Sequence, residues 1–347
     1  MGKRTPDERN EVEGLLTAQA LTELGWQFRI SRTFLACHQL GIFEALRVDR
    51  SAAQVAGELQ INPEMTEKLL IALCALKILN RDGGEFSLTE LGRDTLLLES
   101  LRYIGGVLDF DEHMWWEWSI LPDLARGGEA YTKRHRLMKQ LQQGAGYILP
   151  STSVFPMAMH GKAINGGAQF MAANIDLSDR RLLLDIGGGP GTYAIVLCER
   201  FSKLKAVIWD TMETLEIAQQ VIKHFGLEDR ITTRSGDWDT DEFGPVCDTI
   251  LLSNVAHGPE SNAEGKLVKA FRVLEPGGLL IVQEFLLNNE KNGPLPAALF
   301  NIMVGAYSEE ELIKLVDDAG FSEVKLVARD NGVGSGIITA IKPGVNG

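Results

Sequence analysis

The chain lacks the features that would place it in a membrane or on a nucleic acid. It has no apolar run of about 18 residues, the length that a membrane-spanning helix needs. Its charged first residues, MGKRTPDERNEVEG, are unlike a signal peptide. The formal net charge is −13, so nucleic-acid phosphates would repel it. We therefore expect a cytoplasmic protein with neither a membrane nor a nucleic acid as a partner.

Cysteine is scarce as well. The four cysteines, Cys37, Cys74, Cys198 and Cys247, lie far apart and lack the spacing of metal ligands, so we predict no metal site. Each stands in an apolar segment, which favours buried free thiols in a reducing compartment. We find no internal repeat and no low-complexity tract. A chain of 347 residues with 45% hydrophobic and 23% charged residues fits a globular protein of two domains.

The segment 181–210 is the centre of a predicted α/β domain. Leu182–Ile186 is a short apolar run before a glycine turn, which is typical of a parallel strand covered on both faces. A helix at about Thr192–Phe201 and a strand at Ala206–Trp209 follow. Asp210 stands about twenty residues after the turn, where a carboxylate can accept hydrogen bonds from ribose hydroxyls. The segment therefore predicts a nucleoside site.

The spacing of the glycines indicates which nucleoside. A dinucleotide fingerprint beginning at Gly187 would need glycine or alanine at Thr192, so a nicotinamide oxidoreductase is disfavoured. The chain instead has D-x-G-x-G-x-G from Asp185, which resembles the first motif of the class I S-adenosylmethionine (SAM) methyltransferases. Acidic residues suit a ligand that carries an ammonium and a sulfonium group. A glycine-rich turn in some other α/β protein is the alternative, and Asp210 at the right distance favours the SAM site.

Residues 1–100 predict a small helical domain with a wing. Helical periodicity runs from about Val12 to Ala45. Ser51 and Asn62 are N-caps of two further helices, and Thr89 is the N-cap of a last one. Between the last two, residues 78–88 contain the turn Asp-Gly-Gly of a hairpin. This order of elements is that of a winged helix.

Two functions compete for this domain. A winged helix often binds DNA, but the helix in the recognition position has only Lys68 and Lys77 against Glu64 and Glu67, and a basic face is needed there. The first helices are instead apolar, which suggests a surface that packs against a partner subunit. The apolar residues are Leu15, Leu16, Leu21, Trp26 and Phe28. We predict a dimerisation domain in a homodimer; the alternative is a winged-helix regulator with SAM as its effector.

Residues 101–165 are predicted to form a helical connector that lines the acceptor pocket. Phe110–Trp118 concentrates aromatic residues, and Ser153–His160 adds phenylalanine and methionine. At helical spacing such residues are core at least as often as pocket. Their place between two domains favours a pocket for a flat small molecule. The predicted pocket residues are Met114, Trp115, Phe155, Met159 and His160.

The second half of the α/β domain supplies the chemistry. Asp237 and Trp238 follow the third strand and suit an adenine amine and ring, with a solvated carboxylate and a buried cap as the plain alternatives. His257 follows the fourth strand and is placed as a general base, although a lone loop histidine is more often structural. Glu284 ends the fifth strand and could orient the imidazole by a hydrogen bond. Its alternative is a ribose or backbone contact.

From about Leu35 onward the chain resembles the class I SAM-dependent O-methyltransferases of the plant caffeate and hydroxyindole type, and above all their bacterial secondary-metabolite relatives. The resemblance rests on LGIFEAL and the winged helix, then DIGGGPG, WD, GDW, NVAHG, LEPGG and EELIKLVDDAGF in order. It implies SAM as cofactor and a Rossmann-like α/β sheet over residues 166–347, mostly parallel with an antiparallel strand at one edge. It implies His257 as the base and Glu284 as its supporting carboxylate. The predicted cofactor-binding residues are Asp185, Gly187, Gly189, Gly191, Asp210, Thr211, Gly236, Asp237, Trp238, Ser253 and Asn254.

This chain departs from the plant pattern at three positions. It has Gly258 where those enzymes carry an aspartate, Ser253 where they carry a lysine, and no second catalytic glutamate near Ala306. The resemblance implies methyl transfer from SAM to a hydroxyl of an aromatic or polyketide-like small molecule. The alternatives are transfer to carbon or nitrogen, or non-methyl chemistry such as hydroxylation or decarboxylation.

Overall fold

The computed structural model describes residues 17–127, 154–238 and 240–344. The chain divides into two compact units, residues 1–145 and 146–347. The predicted connector, residues 101–165, has its first part in the first unit and its last part in the second, and its role as one element stays a prediction. Leu15 and Leu16 of the predicted first helix, and Ser153 of the predicted pocket segment, lie outside the described residues.

The first unit is mainly helical with a small antiparallel sheet. Its helices are α1 (Ala18–Trp26), α2 (Phe28–Gln39), α3 (Ile42–Ala45), α4 (Ala52–Leu59), α5 (Pro63–Ala75), α6 (Glu90–Leu96), α7 (Gly105–Ser119) and α8 (Leu121–Arg126). Its strands β1 (Arg50–Ser51), β2 (Leu79–Asp82) and β3 (Glu85–Leu88) pair in the order β1-β3-β2. The order of helices and hairpin is the predicted winged-helix order.

Local capping explains where these helices begin. Ser51 forms a capping box with Gln54, and the side chains of Asn62 and Thr89 accept the expected backbone N–H groups, so all three predicted N-caps are confirmed. The helices pack on the inner face of the hairpin around Phe43 and Phe86, each no more than 2% exposed. Among the described residues no helix combines the length and the apolarity needed to cross a membrane.

The second unit contains a seven-stranded sheet flanked by helices, which confirms the predicted fold class. Its strands are β4 (Leu182–Ile186), β5 (Lys205–Asp210), β6 (Ile231–Ser235), β7 (Cys247–Ser253), β8 (Leu274–Phe285), β9 (Ser322–Asp330) and β10 (Ser335–Ile341). The order is β6-β5-β4-β7-β8-β10-β9. Strands β4 to β8 are mutually parallel. β10 is antiparallel to both β8 and β9 and lies one place in from the edge.

Helices cover both faces of this sheet. They are α9 (Val154–Lys162), α10 (Ala168–Asn174), α11 (Thr192–Arg200), α12 (Met212–His224), α13 (Ala263–Val273), α14 (Leu295–Met303) and α15 (Glu309–Asp318), with a π-helical turn at Ala163–Gly167 and a 3-10 turn at Pro259–Ser261. Separate apolar clusters fill the two faces. Strand β7 is buried along nearly its whole length, because both of its faces are covered.

Candidate active site at the carboxyl edge of the sheet

The loops predicted to bind the cofactor and to carry the base meet at one edge of the sheet. Strands β5, β4, β7 and β8 are neighbours in that order and run parallel, so their carboxyl ends lie side by side. The glycine loop follows β4, Asp210 ends β5, the loop of His257 follows β7, and Glu284 lies near the end of β8. Ligands of open α/β sheets bind at this edge.

The glycine loop has a backbone conformation that residues with a side chain rarely adopt. Gly187, Gly189 and Gly191 have φ values of 67°, 56° and 79°, which is the left-handed region. A Cβ atom on Gly187 would lie 2.4 Å from Cη2 of Trp238, whereas a Cβ on Gly189 would meet no atom within 4 Å. The loop is therefore packed against protein at Gly187 and has open space at Gly189, where a ligand could approach the backbone.

Asp210 holds this loop in place. Its Oδ2 accepts the backbone N–H of Gly189 at 2.9 Å, and its Oδ1 accepts the N–H of Thr211 at 2.7 Å. Thr211 in turn is the N-cap of α12. Each carboxylate oxygen can accept a further hydrogen bond. The predicted contact of Asp210 with a ribose hydroxyl is compatible with this geometry and stays a prediction.

Asp185 is a buried carboxyl group in an unusual setting. It is only 1% exposed, and neither carboxyl oxygen has a hydrogen-bond partner within the described part of the chain. Burial, together with the neighbouring charge of Asp210, raises the pKa of Asp185 to about 7. A positively charged group beside Asp185 would supply the missing partner, as the ammonium of SAM could.

The residues predicted to meet the adenine follow β6. A Cβ on Gly236 would lie 2.2 Å from Cζ2 of Trp209, so only glycine fits there. The ring of Trp238 packs edge-on against Trp209, with centroids 5.3 Å apart, and the Lys266 ammonium lies 4.5 Å from its centroid. Asp237 is exposed. Trp238 is partly buried against the sheet, and the adenine contacts of both residues stay predictions.

His257 is oriented by the backbone of its own loop. Its Nδ1 lies 3.1 Å from the carbonyl oxygen of Asn254, to which it can donate a hydrogen bond only as the Nδ1–H tautomer. The other nitrogen, Nε2, is then the basic one. Burial lowers the pKa of His257 below its usual value, which favours the neutral imidazole. The ring packs edge-on against Phe300, with centroids 5.5 Å apart.

Glu284 contacts the backbone of the His257 loop. Its Oε1 accepts the N–H groups of Val255 and Ala256 at 2.7 and 2.5 Å. Its Oε2 lies 3.8 Å from Nδ1 of His257, which is too far for the hydrogen bond that we expected. Asn254 provides that bond instead. Glu284 is 1% exposed, and burial raises its pKa to about 8.

Ser253, the last residue of β7, belongs to a partly buried polar group that sequence reasoning missed. Its hydroxyl accepts a hydrogen bond from Nδ2 of Asn254 at 3.3 Å and lies beside the phenol of Tyr193. The Nε2 of Gln283 donates to the same phenol at 3.1 Å. The one signal in the sequence was a glutamine inside the apolar fifth strand.

The predicted acceptor pocket draws on both units. Met114 and Trp115 are on α7 in the first unit, and Phe155, Met159 and His160 are on α9 in the second, so the pocket itself stays a prediction. His160 packs as a core residue: its Nδ1 lies 2.8 Å from Oγ1 of Thr192, and burial lowers its pKa to about 4. That burial does not support a role for His160 as a pocket wall.

Two sequence models of protein families match the chain. The O-methyltransferase domain matches residues 152–322, and the O-methyltransferase dimerisation domain matches residues 23–98. Together the two matched segments contain the winged helix, the glycine loop, His257 and Glu284.

Individual methyltransferases are also similar to the chain over most of its length. The chain is 28% identical to 3-hydroxy-5-methyl-1-naphthoate 3-O-methyltransferase from Streptomyces sahachiroi, over 93% of this chain and 94% of that protein. It is 27% identical to L-tyrosine C(3)-methyltransferase from Streptomyces lavendulae, over 79% and 76% of the two chains. In fold it is similar to human N-acetylserotonin methyltransferase solved in complex with SAM, with a TM-score of 0.79, 24% identity, and 96% and 99% coverage.

Proposed function

Because the chain belongs to the SAM-dependent O-methyltransferases that carry an N-terminal dimerisation domain, we propose that it methylates a hydroxyl group of an aromatic or polyketide-like small molecule. One observation carries the proposal. His257 presents a basic Nε2 at the sheet edge that also bears the glycine loop, because Nδ1 is engaged by the Asn254 carbonyl. The substrates in the relatives' names, a hydroxynaphthoate and acetylserotonin, have aromatic rings and support this acceptor class.

The residues at the sheet edge fit SAM. When bound, SAM supplies an electrophilic methyl group on a sulfonium sulfur. We propose that Asp185 pairs with the positively charged methionine end, because its buried carboxyl oxygens have no partner among the described residues. Asp210 would bind the ribose, and Asp237 with Trp238 would bind the adenine. Three of these four residues are acidic, which suits a positively charged cofactor better than a dinucleotide with its negatively charged pyrophosphate.

In the proposed mechanism His257 removes the proton of the acceptor hydroxyl through Nε2. The carbonyl of Asn254 fixes the required tautomer and stabilises the imidazolium that forms. Glu284 keeps the loop in place through the N–H groups of Val255 and Ala256. Much of the rate would come from holding donor and acceptor in line, which can contribute roughly 7–11 kcal/mol.

We also propose that the protein is a homodimer through its first unit. Helices α1 and α2 expose large apolar side chains that a lone subunit would leave in water. These are Leu21, Leu24, Trp26, Phe28 and Ile30, each at least 40% exposed. Sedimentation of the purified protein tests this, and a monomer at micromolar concentration would contradict it.

A second candidate is methyl transfer to carbon. The relative named as an L-tyrosine C(3)-methyltransferase favours it, because a deprotonated phenol can also react at its ring carbon. After methylation at carbon the ring loses that carbon's proton and the phenol oxygen regains one, so one base at the position of His257 can serve both reactions. Only the product distinguishes them.

The test is an assay of the purified protein with SAM and a panel of hydroxynaphthoates, other phenols and tyrosine. We expect S-adenosylhomocysteine and a product heavier by one methyl group, which NMR locates on oxygen. A methyl group on carbon would establish the second candidate. Binding of SAM to the folded protein without turnover of any acceptor would leave the regulator, and a gel-shift assay with duplex DNA would then test that alternative.

A further inference from the structure

The phenol of Tyr193 lies where four elements meet. Tyr193 is the second residue of α11, the helix that begins directly after the glycine loop. Its hydroxyl accepts a hydrogen bond from Nε2 of Gln283 on β8 at 3.1 Å and lies beside Ser253 at the end of β7. A Cβ on Gly167, in the π-helical turn, would lie 2.7 Å from the same oxygen. The phenol therefore has little room to move.

Gln283 continues this contact toward the proposed base. It is 3% exposed, and its Nε2 also donates to Oγ of Ser335 at 3.1 Å. Its backbone carbonyl accepts the N–H of Asn254 at 2.8 Å. Asn254 has a φ of 54°, a strained value that this bond helps to hold, and its own carbonyl binds His257. Three hydrogen bonds, joined through the side chain of Gln283 and the backbone of Asn254, thus connect α11 with the imidazole.

We propose that Tyr193 is a positioning residue that fixes the loop of His257 relative to the glycine loop. The inference rests on the proposed function, since it assigns the two loops to the base and to SAM. Through Gln283 the phenol connects the first turn of α11 with the end of β8, and the Gln283 carbonyl connects β8 with Asn254 in the loop after β7. Loss of the hydroxyl takes away one of the two acceptors of the buried Gln283 Nε2, and the two loops can then shift independently.

A positioning role and a purely stabilising role of the Tyr193 hydrogen bond predict different results. A hydrogen bond that only stabilises the fold changes the melting temperature and leaves the dissociation constant of SAM and kcat alone. A bond that aligns two loops changes all three, because misplacement of reacting groups by about 1 Å can cost about a hundredfold in rate.

The test compares Tyr193→Phe with Ser335→Ala. Each variant removes one of the two oxygens that Nε2 of Gln283 contacts, but only Tyr193 connects to the helix of the glycine loop. For Tyr193→Phe we expect the dissociation constant of SAM, measured by calorimetry, to rise about fivefold and kcat to fall about tenfold. For Ser335→Ala we expect the dissociation constant of SAM and kcat to stay within twofold of the wild type. Its melting temperature should fall about as far as that of Tyr193→Phe.

Two results would overturn the proposal. One is a Tyr193→Phe protein that binds SAM and turns over within twofold of the wild type. The other is a Ser335→Ala protein whose affinity for SAM and kcat fall as far as those of Tyr193→Phe. That result would show that both variants act through a general loss of stability. If Tyr193→Phe does not fold, Gln283→Met removes the donor of the same hydrogen bond and is measured in its place. A wild-type protein that fails to bind SAM would refute the proposed function itself, so the two failures are distinguishable.

Discussion

Glu284 and His257 lie close together without a hydrogen bond between them. Oε2 of Glu284 is 3.8 Å from Nδ1 of His257, while Oε1 accepts two backbone N–H groups of the histidine's loop. A buried carboxyl that binds N–H groups positions a backbone, whatever its charge. Glu284 therefore acts on the loop, and the loop's own carbonyl at Asn254 acts on the ring.

This arrangement predicts that Glu284→Gln lowers kcat and stability only slightly, whereas Glu284→Ala lowers both strongly. The glutamine oxygen can still accept from Val255 and Ala256, and we expect kcat within about threefold of the wild type. Alanine leaves two buried N–H groups unpaired, which should cost roughly 2–5 kcal/mol of stability and lower kcat about a hundredfold. Thermal unfolding and steady-state assays measure both. If the carboxylate charge supported the imidazolium, glutamine would be as damaging as alanine.

A second prediction concerns His257 itself. His257→Ala should lower kcat by about 10²–10⁴-fold if Nε2 takes the hydroxyl proton. The dissociation constant of SAM should stay unchanged. The wild-type rate should fall as pH drops through the lowered pKa of His257, because the imidazole then becomes protonated, and the variant should lack this fall. His224→Ala, on the exposed end of α12, is the matched control. A loss below tenfold would reduce His257 to a positioning role.

The sequence predicted most of the second unit because its signals are local. The apolar run Leu182–Ile186 became β4 with the same bounds. Features that depend on distant pairing were missed. Strand β1 has two residues and exists because it pairs with β3, and β8 starts at Leu274 because that residue pairs with Cys247. No local pattern contains that information.

The same distinction holds for the site. Motif order placed His257 and Glu284 at one sheet edge, because parallel strands end together. It did not show which atom binds Nδ1 of His257. Every residue has a backbone carbonyl, so the residue type does not indicate which carbonyl accepts the hydrogen bond. Likewise, burial of His160 against Thr192 follows from the packing of α9 on α11, which spacing along the chain does not reveal.

A third prediction concerns Gly258, where the plant pattern has an aspartate. A Cβ there would lie 3.1 Å from the backbone of Gly305, so Gly258→Asp should push the His257 loop away. We expect kcat to fall tenfold or more, with a loss of about 1–3 kcal/mol in stability. Gly57→Ala, whose added Cβ meets no atom within 4 Å, is the control. A gain in activity would mean that the loop accepts the aspartate and that its side chain does not collide with the backbone of Gly305.

A fourth prediction follows from the raised pKa of Asp185. Between pH 3.8 and about 7 the native carboxyl keeps a proton that the unfolded chain has lost. The free energy of unfolding of the ligand-free protein should therefore fall as pH rises through this range and level off above it. Asp185→Asn should remove that part of the slope. Thermal unfolding across the range measures it, with the exposed Asp176→Asn as control.

Binding of a cation should reverse the preference of Asp185 for its proton. Beside the positively charged end of SAM the carboxylate is favoured, so the affinity for SAM should increase as pH rises from 6 toward about 7.5, and binding at pH 6.5 should release a proton. Calorimetry in two buffers of different ionisation enthalpy measures the release. Asp185→Asn should bind SAM more weakly, without this proton. Proton-free, pH-independent binding by the wild type would show that Asp185 does not face the cation, and would remove Asp185 from the proposed cofactor site.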